Sequence, residues 1–212
     1  MIEDIFKILK KETKKYKVPV IEFIKVQKKD PFRILIATIL SARTNDRTTA
    51  EVCKRLFKKV KNFRDLDKLN VKEIEKLIYP VGFYRNKAKS LKKLPAKIKE
   101  LKGIPRNIDD LLKLPGVGRK TANLVLVNAF DKDAIGVDVH VHRISNRLGY
   151  VKTKNPEETE KALRKKLPRR YWKDINRLFV MLGQNICKPV SPYCSKCPIN
   201  KYCKKVGVKK RR

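Results

Sequence analysis

The sequence of 212 residues predicts an all-α protein. Apolar residues recur every three to four positions along nearly the whole chain, which is the spacing of amphipathic helices. Alternation of apolar and polar residues does not persist anywhere, and the chain has no Asn-Gly pair of the kind that closes a β-hairpin. Residues that cap helices stand ahead of several apolar segments, so these segments have recognisable starts.

The predicted helices follow one another with short connections. The first covers residues 2–15 and is ended by Val18-Pro19. The second begins at Asp30-Pro31 and is apolar almost all round up to Ala42, as expected of a buried central helix. The others are a short helix after Asn70, capped by that residue, and helices at about 47–59, 85–101, 108–112, 139–148, 156–166 and 170–183. The basic tail 204–212 is expected to fray.

The charge balance favours a nucleic acid as the partner. Lys and Arg number 55 against 21 Asp and Glu, a formal net charge of +34. These residues are spread along the chain rather than gathered on one helix that would face a lipid surface, although a lysine-rich proteome would supply part of the excess. No apolar stretch reaches the ~18 residues of a membrane span. The start of the chain lacks the apolar region of a signal peptide, so we expect a cytoplasmic protein without a membrane partner.

A turn rich in glycine lies between two helical segments, at Leu114–Lys120. Gly116 and Gly118 allow a tight turn with positive φ, and they leave backbone N–H groups accessible to a phosphate at the start of the next helix. Val117 can dock the turn into the core, and Arg119 adds positive charge. On so basic a chain, the pattern predicts a helix-hairpin-helix that binds the DNA backbone; an ordinary turn between helices is the alternative.

Four of the five cysteines lie close together near the end of the chain, spaced Cys187-x6-Cys194-x2-Cys197-x5-Cys203. Four thiolates hold either a tetrahedral zinc or a cubane iron–sulfur cluster. The wide outer spacings favour iron–sulfur, since zinc sites more often show two short Cys-x2-4-Cys pairs, and zinc stays the alternative. Cys53 stands alone and is expected to be dispensable.

The hairpin and the cysteine loop, in this order, resemble the endonuclease III family of DNA glycosylases. The matching segments are 114–123, 137–143, Asn146-Arg147 and the cysteine loop, with weaker matches at 40–42 and 82–88. The resemblance spans about residues 20–205. It implies a six-helix lobe at 20–132 that contains the helix-hairpin-helix (about 108–129). It also implies a second lobe of residues 1–19 and 133–212, a [4Fe-4S] cluster in the loop 187–203, and DNA in the cleft between the lobes.

The same resemblance implies a catalytic pair. Lys120 matches the amine nucleophile of the family and Asp138 its essential carboxylate. An amine that attacks C1′ of the deoxyribose displaces the base and leaves a Schiff base, from which β-elimination breaks the strand. We therefore expect a bifunctional glycosylase and abasic-site lyase of base excision repair. It would act as a monomer on double-stranded DNA with an oxidised pyrimidine or an abasic site, in the nucleoid of a prokaryote.

Three further residues are expected near the DNA. Arg43 stands where the family commonly carries a glutamine that enters the gap left by the flipped base, so the preference for the orphan base is not readable. Phe83 matches the wedge position and is able to stack. His140 either orients the carboxylate or makes a structural hydrogen bond. For Arg43 and Phe83, ordinary packing is the alternative.

Two other functions remain open on the sequence. A T/G-mismatch glycosylase has the same fold, and the shape of its pocket is not readable here. A relative that removes adenine is not favoured, because the segment Ile34–Ala42 contains no acid and Lys120 is present. From another class, a non-catalytic DNA-binding protein with a zinc or iron–sulfur loop is possible, although it would have no use for Lys120 and Asp138 together.

Overall fold

The computed structural model describes residues 1–12, 15–16 and 30–212 of the chain, and these residues form helices and loops without strands. The expected stop at Val18-Pro19, and residues 13 and 14 of the first expected helix, lie outside the described residues. In the described part of the chain no helix is long and apolar enough to cross a membrane. The chain divides into two compact units, Val20–Lys132 and Met1–Pro19 with Asp133–Arg212.

The unit 20–132 is built around one buried helix. Its helices are α2 (Pro31–Ser41), α3 (Asp46–Lys59), α4 (Phe63–Lys68), α5 (Val71–Ile78), α6 (Tyr84–Glu100), α7 (Ile108–Leu112) and α8 (Arg119–Phe130). Helix α2 is buried at nearly every position, as its apolar sequence predicts, and it packs against α8, α3 and α6. Because α8 is also buried along most of its length, this pair forms the centre of the unit.

Short polar side chains start most of these helices. Asp30 accepts from the N–H of Phe32 at 2.9 Å, and Asn45 accepts from the N–H of Thr48 at 2.8 Å. Asn70 and Glu73 form a capping box at the start of α5. Helix α4 was not predicted from the sequence, although its cap Asn62 was a signal that could have revealed it.

The other unit has its own core. It contains α1 (Ile2–Glu12), α9 (Val139–Arg147), α10 (Pro156–Lys166) and α11 (Trp172–Asn185), with short 3-10 turns at Arg169–Tyr171 and Asn200–Tyr202. Phe6 of α1 packs against the ring of Phe179 of α11 at 6.2 Å between centroids. Helix α11 contacts both α1 and α9, so the two ends of the described chain share this core.

The tail 204–212 does not fray as the sequence had suggested. The N–H of Arg212 donates to the carbonyl of Pro192 at 2.8 Å, and the N–H of Ser195 donates to the carbonyl of Arg212 at 3.0 Å. The Arg212 guanidinium lies 4.2 Å from the ring centroid of Tyr193. The tail thus packs on the cysteine loop, through contacts that its local composition does not reveal.

Candidate active site

The glycine turn joins α7 and α8 as a helical hairpin. Gly116 has a positive φ of +78°, and a Cβ there would lie 3.1 Å from the Cβ of Ser90, so this position requires glycine. Gly118 differs from the expectation of positive φ, because its φ is −96° and a Cβ there would meet open space. Val117 is 7% exposed and anchors the turn in the core, so only its backbone can face a ligand.

The start of α8 offers backbone donors and positive charge. Gly118 is the N-cap residue and has no side chain to bond the N–H groups of the first turn. Arg119 and Lys120 follow it with exposed side chains, whereas residues 121–128 are buried. The first turn therefore presents a surface suited to an anion, with the Lys120 amine at its edge.

Asp138 stands at the start of α9 in the other unit. Its Oδ1 accepts from the N–H groups of His140 and Val141, each at 2.9 Å, so the residue caps the helix as its position in the sequence suggested. Val139, next to it, is 64% exposed. The cap fixes the orientation of a half-buried carboxylate beside an exposed surface.

The ring of His140 is held by its neighbours. Its Nδ1 lies 3.0 Å from Nη2 of Arg143, which also donates to the carbonyl of Cys187 at 2.8 Å. A Cβ on Gly183 of α11 would lie 2.3 Å from the same Nδ1, so only glycine fits under the ring. The ring of His140 thus has structural contacts, and the sequence did not indicate that Arg143 and Gly183 lie against it.

The structure brings Arg43 and Phe83 together on two adjoining loops of the unit 20–132. The guanidinium carbon of Arg43 lies 5.4 Å from the ring centroid of Phe83. Both residues have left-handed backbones, with φ of 53° and 58°. Phe83 is 58% exposed, so an aromatic ring and a cation project from neighbouring turns.

A buried lysine joins the same two loops. Lys87 of α6 is 8% exposed, and burial lowers its pKa to about 8. Its Nζ donates to the carbonyls of Leu40 and Ala42 and to Oγ1 of Thr44. Sequence reasoning missed this residue. The available signal was its place four residues before Leu91, on the buried stripe of α6.

The four cysteines of the loop line one cavity, together with Arg147, Tyr193 and Lys205. Burial raises the pKa of Cys197 to about 11, and the nearby thiols of Cys187, Cys194 and Cys203 contribute in the same direction. Arg147 donates to the Cys187 sulfur at 3.3 Å and to the carbonyl of Lys188 at 2.6 Å. Among the described residues, no group of three or more His, Cys, Asp or Glu is placed to hold a single metal ion.

Comparison with known proteins identifies the family. Residues 36–169 match the family model described as HhH-GPD superfamily base excision DNA repair protein. Endonuclease III of Thermotoga maritima is 48% identical over 176 residues, which cover 82% of this chain and 83% of that protein.

Solved structures match as well. A trapped covalent intermediate of endonuclease III with DNA has a TM-score of 0.78 at 41% identity and covers 83% of this chain and 84% of that one. A thermostable thymine-DNA glycosylase has a TM-score of 0.74 at 32% identity, with the same coverage of 83% and 84%. The chain therefore belongs to the HhH-GPD superfamily of base excision DNA repair proteins and, within it, to the endonuclease III family.

Proposed function

We propose that the protein is a bifunctional DNA glycosylase and abasic-site lyase of base excision repair. Its substrate is double-stranded DNA that contains either a damaged base, in the first place an oxidised pyrimidine, or an abasic site. The observation that carries this proposal is the exposed Lys120 amine in the first turn of α8, directly after a backbone turn suited to a phosphate. The endonuclease III relatives at 41–48% identity support it, including one trapped covalently on DNA.

The alternatives are less favoured. The likeness to a thymine-DNA glycosylase is at 32% identity, below that to the endonuclease III relatives, so a mismatch enzyme is the weaker proposal. A non-catalytic DNA-binding protein would leave the Lys120 amine without a role.

Lys120 is the nucleophile of the proposed reaction. Its neutral amine forms a bond to C1′, and the bond from C1′ to the base breaks with the electron pair leaving on the base, which takes up a proton. Opening of the sugar ring then gives a protonated Schiff base. This cation makes the C2′ proton acidic, and loss of that proton expels the 3′ phosphate from C3′. Water finally releases Lys120.

Asp138 supplies the negative charge in the same reaction. Positive charge builds on the deoxyribose as the base departs, and a carboxylate held in place by the helix cap stabilises it without reorganising. The backbone N–H of His140 donates to this carboxylate, and the His140 ring is itself held by Arg143. His140 is therefore proposed as a support for the site rather than as a direct contact to DNA.

The hairpin and two loops bind the DNA. The backbone of Gly116, Val117 and Gly118 and the side chain of Arg119 receive a phosphate at the start of α8. Phe83 stacks into the gap left by the extruded nucleotide, and Arg43 hydrogen-bonds the orphan base.

We further propose that Cys187, Cys194, Cys197 and Cys203 hold a [4Fe-4S] cluster, with zinc as the less favoured alternative. All four line one cavity, and the chemistry of four thiolates fits such a cluster. Arg147 and the backbone N–H of Lys205, which donates to the Cys203 sulfur at 3.4 Å, supply positive charge and hydrogen bonds to the sulfurs. The cluster, when bound, orders the loop and takes no part in the steps above.

The assembly and the location follow from this substrate. A monomer suffices, because the proposed catalytic and DNA-binding groups all come from one chain. We propose a cytoplasmic, nucleoid-associated enzyme of a prokaryote.

Borohydride trapping tests the proposed function. On a duplex with thymine glycol, the wild-type protein should form a covalent adduct after reduction of the Schiff base. Lys120→Gln keeps a polar side chain of roughly similar length but has no amine, so it should bind DNA and form no adduct. Adduct formation by Lys120→Gln at the wild-type rate would assign the nucleophile to another amine, and a wild-type protein without adduct or strand cleavage would overturn the lyase proposal.

A further inference from the structure

Lys87 is an ammonium group in a place where lysine is rare. It lies on the buried side of α6, beside Ala88 and Leu91, with 8% of its surface exposed. Lysine is almost never buried unless its charge is well partnered. Its partners among the described residues are the carbonyls of Leu40 at 2.8 Å and Ala42 at 2.6 Å, and Oγ1 of Thr44 at 3.2 Å.

These partners match an ammonium group in number and in charge. The three protons of the amine meet three acceptors. The carbonyl of Leu40 belongs to the last turn of α2, and Ala42 is the C-cap residue that follows the helix. Carbonyls at this end of a helix have no intrahelical partners. A cation at this end also interacts favourably with the negative end of the helix dipole. Lys87 therefore acts as a cap that reaches α2 from another helix.

The same bonds fix the turn that carries Arg43. Ala42 and Thr44, on either side of it, are both bonded to Lys87, and Arg43 between them has a left-handed backbone with φ of 53°. This conformation is unfavourable for a residue with a Cβ, so the turn needs stabilising hydrogen bonds from elsewhere in the fold.

The turn is joined to the loop that carries Phe83 by a hydrogen bond and by a close approach of the two backbones. Oγ1 of Thr44 accepts from the N–H of Gly82 at 3.1 Å. A Cβ on Gly82 would lie 2.3 Å from the carbonyl oxygen of Arg43, so the two loops approach more closely than a residue with a side chain would allow. Because Lys87 and Gly82 both bond Thr44, one small network connects the turns that carry Arg43 and Phe83.

We propose that Lys87 is a positioning residue that presents Arg43 and Phe83 together to the gap opened by nucleotide extrusion. This inference rests on the proposed function and goes beyond it, because it assigns the orientation of the two probing side chains to a buried amine. Lys87 itself touches neither the DNA nor the reacting atoms.

The test compares Lys87→Met with Lys92→Met. Methionine retains a flexible apolar chain and removes the donors. Lys92 is on the same helix and donates to the carbonyl of Asp67, which is not part of the network, so its variant removes the same charge and leaves the network intact. Borohydride trapping is measured on an abasic site in a duplex, opposite each of the four bases, and on the same abasic site in a single strand, which has no orphan base.

We expect Lys87→Met to trap the duplex about tenfold more slowly and to reduce any difference in trapping rate among the four orphan bases. Its trapping rate on the single strand should fall far less. Lys92→Met should keep the wild-type ratio between duplex and single strand. Equal losses of Lys87→Met on both substrates, or no loss on either, would overturn the positioning role. Absence of an adduct with the wild-type protein would instead overturn the proposed function.

Thr44→Val provides a second variant in case Lys87→Met does not fold. Valine has the shape of threonine but removes the hydroxyl that joins Lys87 to Gly82. With a melting temperature near that of the wild type, it should show the same slower trapping of the duplex and the same smaller effect on the single strand. Trapping of the duplex by Thr44→Val at the wild-type rate would contradict the proposed network.

Discussion

Nη2 of Arg143 donates a hydrogen bond to Nδ1 of His140 over 3.0 Å. A guanidinium has donors only, so Nδ1 is the acceptor and the proton of a neutral ring is on Nε2. The same nitrogen donates to the carbonyl of Cys187, which is the first cysteine of the cysteine loop. The helix that Asp138 caps is thus braced against that loop by one side chain. These bonds hold the carboxylate of Asp138 and the imidazole of His140 in fixed orientations. A carboxylate that is already oriented can stabilise a developing positive charge without reorganising.

Asp138→Asn should separate the two roles of this carboxylate. Asparagine caps helices as well as aspartate does, so the fold and DNA binding should be retained. Loss of the charge should greatly lower the rate at which a damaged base is removed, because the charge acts in the transition state. On a prepared abasic site no base has to leave, so trapping should persist in part. Single-turnover rates on the two substrates measure this, and equal losses on both would contradict the assignment.

The two glycines of the hairpin should respond differently to substitution. Gly116→Val places a side chain at φ of +78° and 3.1 Å from Ser90, and it should destabilise the fold by at least about 1–2 kcal/mol. Gly118→Val meets open space, so it should lower the melting temperature less than Gly116→Val does but weaken binding to undamaged duplex of any sequence.

Thermal melting and binding at several salt concentrations distinguish these effects. Binding by the wild-type protein should weaken steeply with salt, because its positive charge releases counterions from the phosphates. If Gly118→Val bound DNA as the wild type does, the start of α8 would not be a phosphate site.

The cysteines should divide into four that hold the cluster and one that does not. Replacing Cys187, Cys194, Cys197 or Cys203 by serine should remove iron and labile sulfide and lower stability, since ligand binding is coupled to folding. Cys53→Ala should retain the metal, because Cys53 is buried in the other unit. Elemental analysis checks both, and stoichiometric zinc without iron would reverse the cluster proposal.

Cys53 should also be inert in the native protein. Burial raises the pKa of its thiol to about 12, so very little thiolate forms near neutral pH. Alkylation of Cys53 without prior unfolding would contradict this burial.

The stability of the wild type relative to Lys87→Met should increase with pH. Burial lowers the pKa of Lys87 to about 8, against 10.5 for an ordinary lysine. Between these values the unfolded chain keeps a proton that the native protein has released, so the free energy of unfolding rises with pH in this window. Below pH 8 both states are protonated and the full cost of burying the charge remains. Urea denaturation of both proteins at pH 7 and about pH 10 measures the difference, and a constant difference would mean that the amine stays charged in the native state.

Local sequence predicted much of the fold because helix starts are short-range chemistry. Asn45, Asn70, Asp138 and Asn155 each cap the helix that follows, and the bond involves atoms only two or three residues apart. The unbroken apolar run of α2 predicts its burial for a similar reason. The proposed catalytic lysine and the four cysteines were identifiable because they stand in short segments with fixed spacing.

The tertiary structure alone decided which distant residues meet. Arg43 and Phe83 adjoin, Lys87 bonds Leu40, and Gly183 fits under His140 because helices pack in one arrangement, and no local pattern encodes a contact between residues about forty positions apart. The amino-acid order therefore determined the helices, the hairpin and the spacing of the cysteines. Packing decided that one lysine among many is buried and that the tail folds onto the cysteine loop, because burial and long-range hydrogen bonds depend on the neighbours that folding supplies.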